Sequence, residues 1–280
     1  MAELYNRDVR VVAGPLTISP RTEEGASQAM LAIKFSIEKG LDGSANKAAL
    51  TIYNLTSENR SKLQEKGLEV LIEAGYVGEI AQIFKGDIDK TTIIRETTNW
   101  VVKLELEDGG RAKKTARINE SLRGPQTPGA ILKKAAQALG LDVGNLDEKV
   151  NADGARSVLK EFISGFTLSG KADDVLDEVA SSLGLKASVQ DKSLQLLGKG
   201  EATSDPPVKL SGGTGLLGSP SIGEKGAITA VSLLNGRFKP GRRVELESLV
   251  VSGTFIADKV KHVGDTWGSD WKTTLEMKGQ

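Results

Sequence analysis

The chain has no cysteine and a single histidine among its 280 residues, and these shortages remove much familiar chemistry at the outset. Without thiols there is neither a disulfide framework nor a thiolate metal site, so the fold stands on packing alone, which suits a reducing cytoplasm. One histidine leaves too few ligands for a histidine-based zinc site. Net charge is missing as well: Lys plus Arg and Asp plus Glu are both 37. A protein built to grip nucleic acid carries a basic excess, because phosphate contacts dominate that affinity. No apolar run is long enough to cross a bilayer, so membrane insertion is not expected. The opening MAELYNRDVR carries charges and no apolar core of signal-peptide length, which predicts synthesis and folding in the cytoplasm. Aromatic residues are scarce, at 4%.

What is present is ordinary in bulk and informative in arrangement. Hydrophobic residues make up 39% and charged residues 26%, as in a typical globular protein, and the length accommodates two or three small domains. Glycine is abundant, at 32 residues, which predicts many turns. The most specific feature is internal similarity. Phe84, Asp87, Trp100, Leu104 and Glu105 match Phe255, Asp258, Trp271, Leu275 and Glu276 at a constant offset of 171, and two of the three tryptophans are among them. Val70–Glu73 matches Val244–Glu247 with a slip of three residues. Self-similarity at fixed spacing defines architecture, and two copies are too few for a solenoid. Two related β-domains with something different between them are predicted, an organisation that fits a scaffold better than an enzyme.

In the first copy, Leu31, Ile33, Phe35 and Ile37 alternate with polar residues, the period-2 mark of a half-buried strand. KAALTIYNL, LEVLIEAGY, IAQIFKGDI and WVVKLELED predict further strands. A short helix is predicted after Thr56 or Ser57, closing at Gly67. The middle of the chain changes character. Thr127-Pro128 starts a helix with Ile131, Leu132, Ala135, Ala136 and Leu139 on one face, ending at Gly140. A second helix from about Asp173 carries Val175, Leu176, Val179, Ala180 and Leu183, and echoes the first at an offset of 44. SLQLLG predicts a strand after it. Glu201–Gly226 reads as a linker or extended loop from its Pro, Gly and Ser content. AITAVSLLN, RRVELES, TFIADKVKHV and WKTTLEMK supply the second copy. The expected domains are therefore 1–110 and 206–280, both β, flanking a small α+β domain at 111–205.

Candidate chemistry is thin. His262 lies near Asp258, Asp265 and Ser269, and it alone has an imidazole for a Ser-His-Asp arrangement. No G-x-S-x-G elbow presents a serine, and a surface histidine beside a turn is the preferred reading. GSPSIGEKG at 218–226 resembles a phosphate loop but fails it: Glu224 separates Gly223 from Lys225, and Gly226 replaces the hydroxyl residue. Asp173 and Asp174 fall in the first turn of a helix, where carboxylates favour the dipole. RAKKTAR at 111–117 is the one basic cluster, read as a solvated connector. No catalytic, cofactor-binding or metal-ligating residue is assigned, and no cofactor is expected.

The block TGLLGSPSIGEKGAITAVSLLNGRFKPGRRVELES followed by SGTFIADKVKHVGDTWGSDWKTTLEMKG resembles the baseplate hub proteins of tailed bacteriophages, the tail protein D and tube-initiator group. NLTSENRSKL, IFKGDI and the Trp-led strand at 54–106 are similar to the first domain of that group. The resemblance implies a homotrimer in which each subunit gives two tube-type β-barrel domains to a pseudo-sixfold ring. It implies as partners a hexameric tail tube or tube-initiator, a trimeric central spike and other baseplate proteins. DNA would pass through the lumen without specific binding, the location would be the virion, and a LysM-like domain would sit between the barrels. The same architecture serves phage-derived contractile injection particles. A competing reading, a peptidoglycan-binding module, rests on the paired helices, although Phe162 and Phe166 are the only aromatic platforms from Thr127 to Leu197.

Overall fold

The computed structural model describes residues 6–19, 31–121, 125–152, 158–160, 167–223 and 226–279. Two compact units emerge. The larger is drawn from Met1–Lys39, Lys47–Glu107 and Ala202–Gln280, and the smaller from Gly40–Asn46 and Asp108–Glu201.

The larger unit is mainly β. Its first stretch contains β1 (Arg7–Ala13), β2 (Leu16–Ile18), β3 (Ile33–Gly40), β4 (Lys47–Tyr53), β5 (Glu69–Tyr76), β6 (Glu79–Glu96) and β7 (Asn99–Glu107), with helix α1 (Ser57–Lys62) between β4 and β5. In the smaller unit come α2 (Gly110–Thr115), β8 (Arg117–Ser121), α3 (Pro128–Ala138), α4 (Leu146–Ala152), β9 (Thr167–Lys171), α5 (Ala172–Ser182), β10 (Leu185–Gln190) and β11 (Ser193–Gly198). The last stretch returns to the larger unit with β12 (Val208–Leu210), β13 (Leu216–Ile222), β14 (Ile228–Leu233), β15 (Arg243–Leu246), β16 (Gly253–Asp265) and β17 (Trp271–Gly279).

Thirteen strands form one sheet in the order β13-β14-β17-β16-β3-β4-β7-β6-β5-β1-β2, with β12 on β15 and β15 on β16. The order repeats itself: β3-β4-β7-β6-β5 is matched by β13-β14-β17-β16-β15, and β16 of the second run lies beside β3 of the first. Alternation places Ile33, Phe35 and Ile37 of β3 and Leu50 and Ile52 of β4 inside, with the intervening residues outward. They join Val70, Ile72, Phe84, Leu104 and Leu106 in one core. The second run has its own core around Ala230, Phe238, Val244, Val260, Leu275 and Met277. Trp271, from the second run, is buried in the first core. Burying each such large side chain contributes about 1.5–3 kcal/mol.

Three expectations change here. The 201–226 stretch contains β12 and β13, because pairing with β14 and β15 overrides its turn-like composition. β1 and β2 were not anticipated; Val9, Val11 and Ala13 alternate into the first core, Val9 from between Asp8 and Arg10. α1 has the expected cap, Thr56 Oγ1 accepting from the Asn59 N–H at 3.3 Å, but it ends at Lys62 well short of Gly67.

The smaller unit packs α3 and α5 through the predicted apolar stripes into a third core with Ala187, Val189, Leu194 and Leu196 of the β10–β11 hairpin. Thr127 caps α3, its Oγ1 accepting from the Ala130 N–H at 3.2 Å, and Gly140 closes it at φ +66°. Asp173 and Asp174 occupy the first turn of α5 as expected. The basic cluster is ordered rather than a plain connector: it forms α2 and enters β8, with Lys114 and Arg117 exposed as expected, while Lys113 is drawn inward, pairing with Asp173 at 3.3 Å and donating to the Gly43 carbonyl at 2.8 Å. Asp108 is fully buried, accepting from the N–H groups of Asp191 at 2.6 Å and Lys192 at 2.8 Å in the β10–β11 turn. Those donors offset the desolvation of its charge. Phe162 and Phe166 lie outside the described residues.

Candidate functional site

The two hairpins that carry the internal similarity, β6–β7 and β16–β17, define the candidate surface. Each has one extra residue bulged out of its first strand. Asp89 bulges between Ile88 and Lys90, and Asp258 between Ala257 and Lys259. Immediately beyond, Lys90 pairs across with Glu105 and Lys259 with Glu276, and both pairs are salt-bridged, at 3.3 and 3.8 Å. The equivalence is thus 171 residues on the second strand (105 to 276) but 169 on the first (89 to 258). The constant offset read from the sequence holds for Trp100, Leu104 and Glu105 and fails for Phe84 and Asp87, because the connection between the strands differs in length. β6 and β7 turn through Thr97-Thr98, whereas β16 and β17 are joined by residues 266–270.

One face of these strands is core, and the other is open and charged. On the open face Lys34 meets Asp265 at 3.0 Å, Lys103 meets Glu96 at 2.9 Å, Lys261 meets Glu38 at 2.5 Å, Lys272 meets Asp270 at 2.9 Å and Lys278 meets Asp258 at 2.8 Å. Exposed pairs of this kind add only about 0–1 kcal/mol each to stability. Their effect is to neutralise a lysine-rich face. Burial pushes the Asp265 carboxyl up, but hydrogen bonds donated to it by the Trp267 N–H, Lys34 and the Gly268 N–H outweigh that push and hold it below the usual range.

Where β16 meets β3, the contacts run in opposite directions along the two strands. Ile33 and Thr266 exchange hydrogen bonds at 2.9 and 3.0 Å, Asp265 faces Lys34, Gly264 faces Phe35, and Lys261 faces Glu38. A Cβ on Gly264 would come within 2.2 Å of the Phe35 ring, so only glycine fits. The space is taken by an edge-to-face contact between Phe35 and Trp271, 5.5 Å between centroids. Trp271 Nε1 donates to the Gly75 carbonyl at 3.1 Å, and Arg7 lies 5.5 Å from its ring. Arg7 also braces the 266–270 loop, donating to the Asp265 carbonyl at 3.0 Å and the Ser269 carbonyl at 3.2 Å. A shallow groove of about 280 Å³ runs over this junction on the open face, lined by Lys34, Ser36, Ala49, Thr51, Val263 and Asp270.

Trp100 stands where Trp271 stands, five residues before the paired glutamate, yet 38% of it is exposed against 4% of Trp271. Arg60 and Arg95 lie over its ring at 4.3 and 5.8 Å. Beyond Ile88, the side of β6 turned away from β7 has no strand neighbour among the described residues, and neither has the outer edge of β13.

The residues considered for catalysis are not brought together. His262 is no surface residue: it is 1% exposed in the middle of β16, its Nδ1 2.9 Å from Thr273 Oγ1 across the hairpin. Asp258 and Asp265 hold lysines on the open face, and the Ser269 carbonyl serves Arg7. Of the phosphate-loop candidate, Gly218–Ile222 is strand and Glu224 and Lys225 lie outside the described residues. Among the described residues no cluster of His, Asp and Glu is arranged to hold a metal ion, and no helix is long and apolar enough to cross a membrane. Sequence reasoning missed the open edges and the contrast between the tryptophans, for which no local signal exists.

The fold is similar to that of solved phage tail proteins. A tail protein from Neisseria meningitidis is similar over 99% of this chain and 97% of its own, with a TM-score of 0.65 at 11% identity. The 43 kDa tail protein of prophage MuSo2 from Shewanella oneidensis is similar over 98% and 97%, with a TM-score of 0.66 at 10% identity. A type VI secretion component from E. coli, described as similar to the T4 tail proteins gp27 and gp5, matches over 96% and 76%, with a TM-score of 0.57 at 9% identity. No curated relative matches the sequence. Residues 15–262 match the family described as Baseplate hub gp41, and the chain belongs to that family, one of structural components of the phage tail.

Proposed function

We propose that the protein is the structural hub of a phage baseplate, a homotrimer whose six sheet repeats form a pseudo-sixfold ring between a hexameric tail tube and a trimeric central spike. The single observation that carries this is the junction of β16 with β3: the chain already joins one repeat to the next, and among the described residues each end of the pair keeps an edge without a strand neighbour. Three chains then supply six repeats, which reconciles sixfold and threefold neighbours. Residues 1–110 and 206–280 act as tube-type barrels flanking a LysM-like domain at 111–205, and the protein works without catalysis.

The open face of the sheet lines the lumen in this arrangement. Strands closed into a ring hide their edges, and the core face is already occupied. Pairing most lysines of that face with carboxylates leaves few free cations to hold phosphate, so DNA slides rather than sticks. Gold-labelled antibody to the chain, applied to purified particles in the electron microscope, is expected to mark the tail tip where tube meets spike. Label along the tube, or absence of the chain from purified tails, would refute the proposal.

A further inference from the structure

We propose that Asn235 is a self-modification site. In the folded protein its side chain closes on the Gly236 nitrogen, loses ammonia and reopens as aspartate or isoaspartate, which loosens the second repeat from the first. The inference stands apart from the hub reading and does not depend on it.

Asn235 is the only asparagine of the chain that is followed by glycine. Glycine has no Cβ to shield its nitrogen, and its backbone bends where other residues resist. Packing requires glycine here for a separate reason. Gly236 lies in the connection between β14 and β15, pressed against β6. A Cβ on it would come within 2.9 Å of the Ala81 Cβ and 3.0 Å of the Ile83 Cγ2. The contact between the repeats therefore demands the one residue that leaves the Asn235 amide open to attack.

The reacting groups are already disposed for the step. Asn235 Oδ1 accepts the Arg237 N–H at 2.9 Å, and the Asn235 main-chain carbonyl accepts the Phe238 N–H at 3.2 Å, an Asx turn nested in a β-turn. The donor on Oδ1 polarises the side-chain carbonyl and meets the negative charge that gathers there as the nitrogen adds. Among the described residues neither the Gly236 N–H nor the Asn235 Nδ2 donates a hydrogen bond, so nucleophile and leaving group are both untied. Asn235 is half-buried, within reach of water. The Gly236 nitrogen gives its proton to solvent and bonds to Cγ. The Cγ–Nδ2 bond breaks, and ammonia leaves with a proton returned from solvent. The cyclic imide then takes up a water. Opening at Cγ gives aspartate; opening at the main-chain carbonyl gives isoaspartate, whose backbone runs through Cβ and Cγ.

Isoaspartate adds a carbon to the main chain where the turn has no slack against Ala81 and Ile83. Close-packed interiors do not absorb an extra methylene without shifting their neighbours. The bonds that seat the turn are the ones at stake. The Asn235 N–H donates to Thr273 Oγ1 at 3.1 Å, and Arg237 meets Glu79, the first residue of β6, at 2.8 Å.

The test keeps one portion of the full chain folded in warm, mildly alkaline buffer and another in denaturing urea, and maps both by peptide mass spectrometry. Asn235 is expected to exchange its amide nitrogen for oxygen at least as fast in the folded chain as in urea. A protein isoaspartyl methyltransferase is expected to label the product. The aged folded chain is expected to melt roughly 2–10 °C lower than fresh protein. Asn235→Ser keeps an oxygen to accept the Arg237 N–H and has no amide to lose, so it is expected to age without that drop. An Asn235 that reacts more slowly in the folded chain than in urea shows that the turn protects it, and overturns the proposal. Full modification with unchanged melting overturns the loosening of the repeats.

Discussion

Trp100 and Trp271 occupy the same position in two copies of one hairpin, and one is surface while the other is core. The difference lies in what the chain places beside them. Next to β16 runs β3, which brings Phe35 against Trp271; on the corresponding side of the outer half of β6 the described chain runs no strand. The same hairpin is closed by a strand neighbour in one copy and has none in the other among the described residues, and that neighbour alone decides whether its tryptophan is core or surface.

The largest effect expected from breaking this contrast is on Trp271. Trp271→Ala empties the shared core and strands the Gly75 carbonyl, and should lower unfolding free energy by about 3–5 kcal/mol in a denaturant titration. Trp100→Ala in the same assay should cost about 1 kcal/mol or less in the monomer. Equal losses would mean that the two environments are not distinct. Gly264→Val tests the space itself: with Phe35 already in the way, overpacking should cost about 1–3 kcal/mol, whereas Arg95→Val, at the equivalent position, should leave monomer melting almost unchanged.

Acid separates the two turns. The carboxyl of Asp265 titrates below the usual range in the folded protein. Its contribution is therefore complete above the unfolded value of 3.8 and is lost as pH falls through the lower folded value. The emission of Trp267, 68% exposed on that loop, should shift below about pH 4. Asp265→Asn should remove that transition, and an unaltered transition in the variant would assign it elsewhere. The smallest effect belongs to the two cross-strand pairs. Double-mutant cycles on Lys90–Glu105 and Lys259–Glu276 should each return about 0.2–1 kcal/mol, similar in both copies and falling with salt.

Much of the fold was legible in the sequence because period-2 alternation and helix caps are local signals. Ile33, Phe35 and Ile37, Thr127 before Pro128, and Gly140 all act through neighbours in the chain. β13 was not legible, since its Gly218, Ser219 and Pro220 read as loop; they are the irregular stretch between Leu217 and Ser221, whose pairing with β14 makes the strand. His262 gave no sign of its burial, because a single residue type does not report which face it takes. The duplication was visible but its register was not: Asp258 matches Asp89 structurally, and a length difference in a distant turn hid this. Of the functional surface, the lysines were visible as residues, while their pairing with carboxylates from other strands was not. Open edges leave no mark in a sequence, since an edge is a statement about a missing neighbour.

The long strand β16 has a mechanical consequence. Its first part is bonded to β15 and its later part lies on β3, while β17 runs along most of its length. A force along the strand therefore loads these ladders in shear, many bonds at once, and none can be peeled open singly. β6 has the same build, and its last part has no second strand among the described residues, so a strand that docked there would be gripped along the direction in which β6 is strongest.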